Sequence, residues 1–599
     1  ALAARLMQGS ADAPAYDWAA TDLVVSLGAE PLQASCQKMH FARGGAKRRG
    51  RARIVQLGAT RSASARGADE YHQVRTGTYG ALALGLARVV VEAGLADEAF
   101  LAEHCRGWEP WTDADGIEHP GLRARLDDFL PEAVEDVTGL PADVLERLGR
   151  ELGSTERAFV LTGTEAYQTH GGVSAAMAVH ALNAVLGAID RPGGVLTQRP
   201  APVAEWDEVE PDEYAEESLE VPAIWSTTGS LAASLLGASF DELPAALASA
   251  GPERVDTLFL HYTNPVWSRP NGAAWQAALS AVPTVVSFSP YWDETSLACA
   301  DWILPDHTPL ERWEDAGPAP SLGHPVFSLR QPAVEPLFDT RQTTDVLLEL
   351  ASAIDEGVLE ALPWKDSKDM VKKLVIGIYK AKTGSIVASK GSTFLKEFYA
   401  AGGWYDESYP YESWDEVLAT ASGKLELAPP ELFELLRAAA TDIEDPAAAC
   451  LPGHVEPAWA GDPARFPLLL VPYRPSTHAE GGGANQPLLM ELRLHPSDRI
   501  WETQADLHPD TAAAAGVADG ERALLTSEVG EIEVLARHNA TVAPGEVRVP
   551  RGHGHTAMGR FAAGWGGNVH ELVSLEATEP IFGRPTWIGT RVALRRIEA

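Results

Sequence analysis

The stretch ARIVQLGATRSASARGADEYHQVRTGTYGALALGL, residues 52–86, decides the fold. It opens on a short apolar run that stops at Gly58 and closes on a turn, Gly77-Thr78-Tyr79-Gly80, that leads into small and apolar residues at helical density. A short apolar run bounded by glycine is how a parallel strand covered on both faces reads in sequence. The same signature recurs in DLVVSLG ending at Gly28, AFVLTG ending at Gly163, TLFLHYTNP ending at Pro265 and TVVSFSP ending at Pro290. Helical patterns lie between them, such as residues 172–190 before the terminator RPGG, so the first half is α/β. Ligands of open parallel sheets bind beyond the carboxyl ends of the strands, where small residues let backbone amides approach. The turn at Gly77 also reads simply as a helix start, with Thr76 or Thr78 as cap.

The 599 residues predict three or more domains, at roughly 100–200 residues each. Residues 1–195 read as a first α/β lobe, 196–354 as a second lobe entered through an acidic, proline-bearing connection, and 355–463 as an insertion or linker. Residues 464–599 change character to short strands separated by turns (FPLLLVPY, ERALLTSEVGEIEVLARH, EVRVP), which predicts a β-barrel. A formal net charge of −36 disfavours nucleic acid, whose phosphates such a field repels, and leaves cations or basic proteins as partners. No apolar run spans a bilayer, so the chain is expected to be soluble by itself. The chain opens ALAARLMQGS, without an initiator Met or a signal core, which reads as a mature or truncated product with any export signal upstream.

Several other stretches carry candidate chemistry. Asn264 and Ser268 in HYTNPVWSRP can hydrogen-bond a ligand or form a turn, and Glu294 and Asp301 read equally as capping or salt-bridging carboxylates. RPSTH at 474–478 and RGHGHTAMGRFAAGWGGN at 551–568 combine cations, histidines and glycines suited to phosphate and to a polar heterocycle. The four cysteines form no CxxC pair and leave the redox compartment open; Cys36 and His40, four apart, read as packing before metal binding. The basic run 46–53 reads as a solvated loop, or as a dock for a partner.

In their order along the chain these stretches resemble the molybdopterin oxidoreductase family of the dimethyl sulfoxide reductase type, over most of the chain apart from about 355–463. The resemblance implies two doubly wound lobes with mostly parallel sheets, plus a double-psi-like C-terminal barrel. Together these would clasp bis(molybdopterin guanine dinucleotide) with molybdenum or tungsten. It carries Gly28, Arg61, Gly77, Thr78, Gly163, Asn264 and Ser268 over to one side of the cofactor, and Arg474, Ser476, His478, His555 and Asn568 to the other. The ending is most similar to polysulfide, thiosulfate and tetrathionate reductases and their quinone-linked relatives.

The resemblance further implies a redox subunit of a respiratory complex that reduces or oxidises a sulfur or related oxyanion by oxygen- or sulfur-atom transfer. It implies a ferredoxin-like iron–sulfur subunit and a polytopic quinone-reactive membrane subunit as partners, and a peripheral place on the periplasmic or outer face of the membrane. A [4Fe-4S] cluster would sit upstream of Ala1 or in the partner, and the metal's protein ligand would also lie upstream, so no catalytic residue or metal ligand is named. The chain departs from the family at two places: Tyr79 stands where an aspartate usually meets guanine, and Ala59 where Asp-Pro-Arg is common, with Arg61 retained. Tyr79 either fills the guanine pocket or stacks beside the base. The first alternative leads to a cofactor-free, molybdopterin-binding-like scaffold of a quinone-reductase complex, and a non-redox hydratase is a third reading.

Overall fold

The computed structural model describes residues 1–598 except 11, 33–40, 42–51, 207–210, 222, 225–239, 252–253, 318–321, 439–442, 476, 479–480 and 494–497. Cys36, His40, Ser476 and most of the basic run 46–53 therefore lie outside the described residues. The chain separates into two units. The first joins Ala1–Thr197, Tyr411–Thr556 and Arg560–Ala599, and the second joins Gln198–Pro410 to Ala557–Gly559.

A four-stranded parallel sheet forms the lobe of the first unit, in the order Glu70–Gln73, Arg53–Gly58, Leu23–Leu27, Ala158–Thr162. Val24, Val25, Leu27, Val55, Leu57, Phe159 and Val160 are all fully buried, which is why these strands read as continuous apolar runs. Helices Tyr79–Glu92 and Gly172–Val185 pack on each other and on the sheet. The second of these stops short of residue 190 because Gly187 turns the chain at φ +62°. Its Asn183 solves an edge problem. The Val160 N–H donates to Asn183 Oδ1 and Asn183 Nδ2 donates to the Val160 carbonyl, each at 2.8 Å, so the outer edge of Ala158–Thr162 is satisfied by a buried side chain.

The same unit contains a closed six-stranded barrel, ordered Leu468–Tyr473, Glu546–Pro550, Gln504–Leu507, Glu531–His538, Arg522–Thr526, Arg591–Arg596. Leu468–Tyr473 runs parallel to Glu546–Pro550, and Gln504–Leu507 parallel to Glu531–His538; the remaining pairings are antiparallel. Leu470, Leu507, Leu525, Val534, Val547, Val549 and Val592 fill its interior. Closure leaves no sheet edge exposed.

The second unit has a parallel sheet of Thr257–Leu260, Thr284–Ser287 and Trp302–Ile303. It also has an antiparallel sheet of Glu314–Ala316, Val326–Arg330 and Gly403–Tyr405. The run toward Pro265 ends as a strand at Leu260; Tyr262 takes φ +50°, and Asn264 opens the short helix Pro265–Ser268. The stretch 355–463 is shared between the units. Helices Ser367–Ala381 and Gly391–Ala401 belong to the second, while Leu425–Glu426 pairs in parallel with Cys105–Arg106 in the first.

Candidate functional site

In the Glu546–Pro550 strand, Val547 and Val549 point into the barrel, so by the two-residue period Glu546 and Arg548 point out of it. Both are nevertheless buried, because this outer face lies against the carboxyl ends of the lobe strands. The Arg548 guanidinium donates to Glu165 Oε1 at 2.6 Å and to Thr60 Oγ1 at 2.9 Å, and Thr76 Oγ1 donates to Glu546 Oε1 at 2.6 Å. The Tyr79 hydroxyl donates to the other oxygen of Glu165, Oε2, at 2.9 Å, and the Ala59 backbone bonds to the phenol oxygen. Glu30 completes the cluster, hydrogen-bonded by Ser62.

Burial governs the protonation of this cluster. It pushes Glu30 up to about 7, with Glu165 adding repulsion, and lifts Glu546 to about 7 as well. For Arg548 burial works against the charge, yet Glu165 and Glu30 overcome it and its pKa rises. The Tyr79 phenol is held well above its ordinary value by burial and by Glu165. The cluster is thus a cation shared among carboxylates, with a protonated phenol closing one side.

Tyr79 is 0 % exposed, and its ring lies under Gly28: a Cβ at Gly28 would come 2.7 Å from Tyr79 Cζ. Gly28 also holds φ +61°, so no other residue suits the position. A Cβ at Gly163 would meet Ala29 Cα at 2.6 Å, and one at Gly77 would meet Pro457 Cγ at 2.8 Å. These strand-end and turn glycines are therefore covered by the chain itself. Neither threonine caps the Tyr79–Glu92 helix through its side chain: Thr78 Oγ1 donates to the Arg75 carbonyl at 2.7 Å, and Thr76 serves Glu546.

Beside the cluster, a cavity of about 610 Å³ opens at the barrel, lined by Thr60, Arg61, Arg66, His478, Arg499, Trp501, Asp506, Arg537, Arg548 and His553 among others. Arg537 bridges Asp506 and Asp498, and Arg522 is shared between Glu502 and Glu533, so each carboxylate of the wall is held by a guanidinium. Arg61, Arg66 and Arg499 have no carboxylate partner among the described residues. Burial, then His478 and His555, drives His553 down to about 3, and burial lowers His478 too, so both are neutral near pH 7. His478 Nε2 lies 3.0 Å from Met490 Sδ, and His553 Nδ1 lies 2.9 Å from Thr503 Oγ1.

The residues singled out in the sequence fall into separate places. Gly28 and Gly163 meet at the covered strand ends, with Gly77 and Thr78 at the start of the adjacent helix. Arg61 and His478 face the cavity; Arg474 follows the first barrel strand, and buried His555 and Asn568 lie in the 551–568 loop, where Asn568 Oδ1 accepts from the His570 N–H at 3.1 Å. Asn264 belongs to the second unit, where its Nδ2 donates to Glu294 Oε2 at 2.7 Å and its Oδ1 accepts from the Thr295 hydroxyl at 2.8 Å. Ser268 ends the short helix behind it. Asp301 is structural: Oδ2 accepts from the Val285 N–H at 2.8 Å. Glu30, Glu165, Glu546 and Arg548 were not found from sequence, because charges alternating with valine in EVRVP read as a strand with one face in solvent, whereas both of its faces are buried.

A parallel lobe joined to a closed barrel, with an arginine-lined cavity at their meeting, suits a large anionic ligand. Residues 5–353 match the molybdopterin oxidoreductase model and residues 468–589 the molydopterin dinucleotide binding domain, and the chain belongs to the molybdopterin oxidoreductase family. It is similar to the menaquinone reductase molybdopterin-binding-like subunit of Nitratidesulfovibrio vulgaris, at 28 % identity over 97 % of this chain and 72 % of that one. It is also similar to the arsenate respiratory reductase molybdopterin-containing subunit of a Shewanella species, at 25 % identity over 92 % and 70 %. The thiosulfate reductase molybdopterin-containing subunit of Salmonella typhimurium is 24 % identical over 83 % and 64 %. Among solved structures, acetylene hydratase from Pelobacter acetylenicus shares the fold, with a TM-score of 0.74, 19 % identity, and coverage of 99 % of this chain and 80 % of that one.

A dinucleotide cofactor fits the two sides unequally. The cavity has the volume, the unpaired guanidiniums and the neutral imidazoles that a diphosphate and a polar ring require. The strand ends of the lobe do not fit one, because the Tyr79 ring, Glu165 and Arg548 occupy the space beside Gly28.

Proposed function

We propose that this chain is the molybdopterin-containing redox subunit of a respiratory complex acting on a sulfur or related oxyanion. The observation that carries the reading is the cavity of about 610 Å³ where the matched dinucleotide-binding domain meets the lobe, lined by Arg61, Arg66 and Arg499 in a chain of net charge −36. These guanidiniums would hold the diphosphate, and His478 and His553 would hydrogen-bond neutral ring atoms. When bound, such a cofactor supplies a metal that changes oxidation state as an oxygen or sulfur atom is transferred, and the protein positions and tunes it. The relatives named for arsenate and thiosulfate support the oxyanion class. A ferredoxin-like iron–sulfur subunit and a quinone-reactive membrane subunit would carry the electrons, on the outer face of the membrane. No helix among the described residues is long and apolar enough to cross a membrane, so attachment would come through a partner.

The test is metal and pterin analysis of the complex isolated from its source, joined to oxidation of reduced viologen by thiosulfate, tetrathionate or arsenate. Stoichiometric molybdenum or tungsten with turnover of one of these oxyanions is expected; fully assembled complex free of metal and pterin overturns the reading.

One observation favours a second reading, a cofactor-free scaffold in a quinone-reductase complex. Tyr79 fills the lobe side with a fully buried ring, and a relative bears the name molybdopterin-binding-like. Metal-free complex that still passes electrons to quinone would establish it.

A further inference from the structure

The geometry points to a protein with one nucleotide site, not two: the Tyr79–Glu165–Arg548 cluster closes the strand-end crevice of the lobe, and the cavity lined by Arg61, Arg66 and Arg499 takes a single guanine-nucleotide-type ligand. Where that ligand is a molybdopterin dinucleotide, the inference rests on the function proposed above and fixes how many the chain holds. The closure is built from ordinary packing. Tyr79 is the first residue of the Tyr79–Glu92 helix, so its Cα–Cβ direction is set by the helix start, and its ring is fixed at the far end by Glu165 Oε2 and by the backbone of Ala59.

Glu165 is fully engaged. One oxygen accepts from Tyr79 and the other from Arg548, whose guanidinium also reaches Thr60. Every one of these side chains is at least nine-tenths buried. A nucleotide in this crevice would have to displace an aromatic ring and strip a buried carboxylate of its cation at once. The space is too tight even for a methyl group on Gly28.

The cavity is built the opposite way. Its carboxylates are held by shared cations, Asp498 and Asp506 by Arg537 and Glu502 by Arg522, which also binds Glu533, while the exposed Arg61, Arg66 and Arg499 have no carboxylate partner among the described residues. Trp501 offers an aromatic face in the same wall, and His478 and His553 add neutral ring nitrogens. A diphosphate against the arginines with a base near Trp501 satisfies these groups together.

The experiment counts nucleotides. Guanine released from the isolated, acid-denatured protein is quantified per chain, and the same preparation is titrated with radiolabelled guanosine diphosphate; the two numbers are added. A sum of one supports the inference whether the chain arrives loaded or empty. A sum of two overturns it by revealing an open lobe site, and a sum of zero overturns it by removing the cavity site. Metal content is read separately, so loss of the redox reading leaves the count informative. Arg499→Ala is expected to weaken guanosine diphosphate at least tenfold, and unchanged affinity counts against the cavity. Tyr79→Phe is expected to leave the sum at one, because the ring fills the space, and a sum of two in that variant overturns the closure.

Discussion

The lobe crevice and the barrel cavity share a wall at Thr60 and Arg548, and they treat charge in opposite ways. On the lobe side Arg548 is surrounded by Glu165, Glu30 and Glu546, and a phenol completes the shell. On the cavity side the carboxylates share Arg537 and Arg522, and three further guanidiniums have no carboxylate partner among the described residues. The first region has satisfied itself and the second has kept its valence for a ligand. The same folding elements can therefore present a site or erase one according to which side chain enters a single gap.

The comparison breaks hardest at Arg548. Arg548→Met should leave Glu165 and Glu30 buried without a cation and cost ~3–5 kcal/mol, seen as a large fall in melting temperature. A change under about 1 kcal/mol would show that the cluster is not held by charge.

Glu546→Gln probes the same side through pH. The native carboxyl is raised from 4.5 to about 7, so the native state holds its proton more tightly than the unfolded chain. Stability from this group is therefore fully present below about 4.5 and is lost as pH rises through about 7. Glutamine cannot ionise, so between those two values the variant should gain on the parent by ~1.4 kcal/mol for each step of one in pH. Melting curves of the two proteins that stay parallel from roughly pH 5 to 8 would sink the assignment.

Three lobe strands were legible because each is a short apolar run stopped by glycine, and four barrel strands because turns separate them, whereas the polar Glu70–Gln73 and the barrel strands Gln504–Leu507 and Arg591–Arg596 were not read. The closed crevice was not. Tyr79 acts through Gly28 and Glu165, and Arg548 reaches Glu165 across 383 residues, contacts that no local period encodes. The departure at Tyr79 was readable as a difference from the family, but its consequence depended on which way the ring turned. The threonines of the turn mislead for a related reason: their hydroxyls look like helix caps and instead bond the Arg75 carbonyl and Glu546. Asn264 and Ser268 read either as ligand-bonding or as a turn, and the Asn264 side chain bonds Glu294 and Thr295.

Smaller effects sharpen the contrast. Tyr79→Phe removes one hydrogen bond from Glu165 while keeping the ring, and should cost ~1 kcal/mol or somewhat more in chemical denaturation. A loss above about 4 kcal/mol would mean that the hydroxyl, and not the ring, holds the cluster together. At the other end, Arg499→Ala should move stability by less than ~0.5 kcal/mol, since its exposed guanidinium has no carboxylate partner among the described residues. A marked drop in melting temperature would assign that arginine to the fold and withdraw it from the ligand.

The long reach from Glu165 to Arg548 also sets a timetable. At ~5–20 residues per second, the ribosome needs on the order of 20–80 s to make the 383 residues between them. Through that interval the newly made lobe carries Glu30 and Glu165 without their cation, and the ends of its strands are covered only when the barrel strand arrives. A nascent chain stalled between the two positions should therefore be open to protease at the lobe's strand ends, and release past Pro550 should seal it.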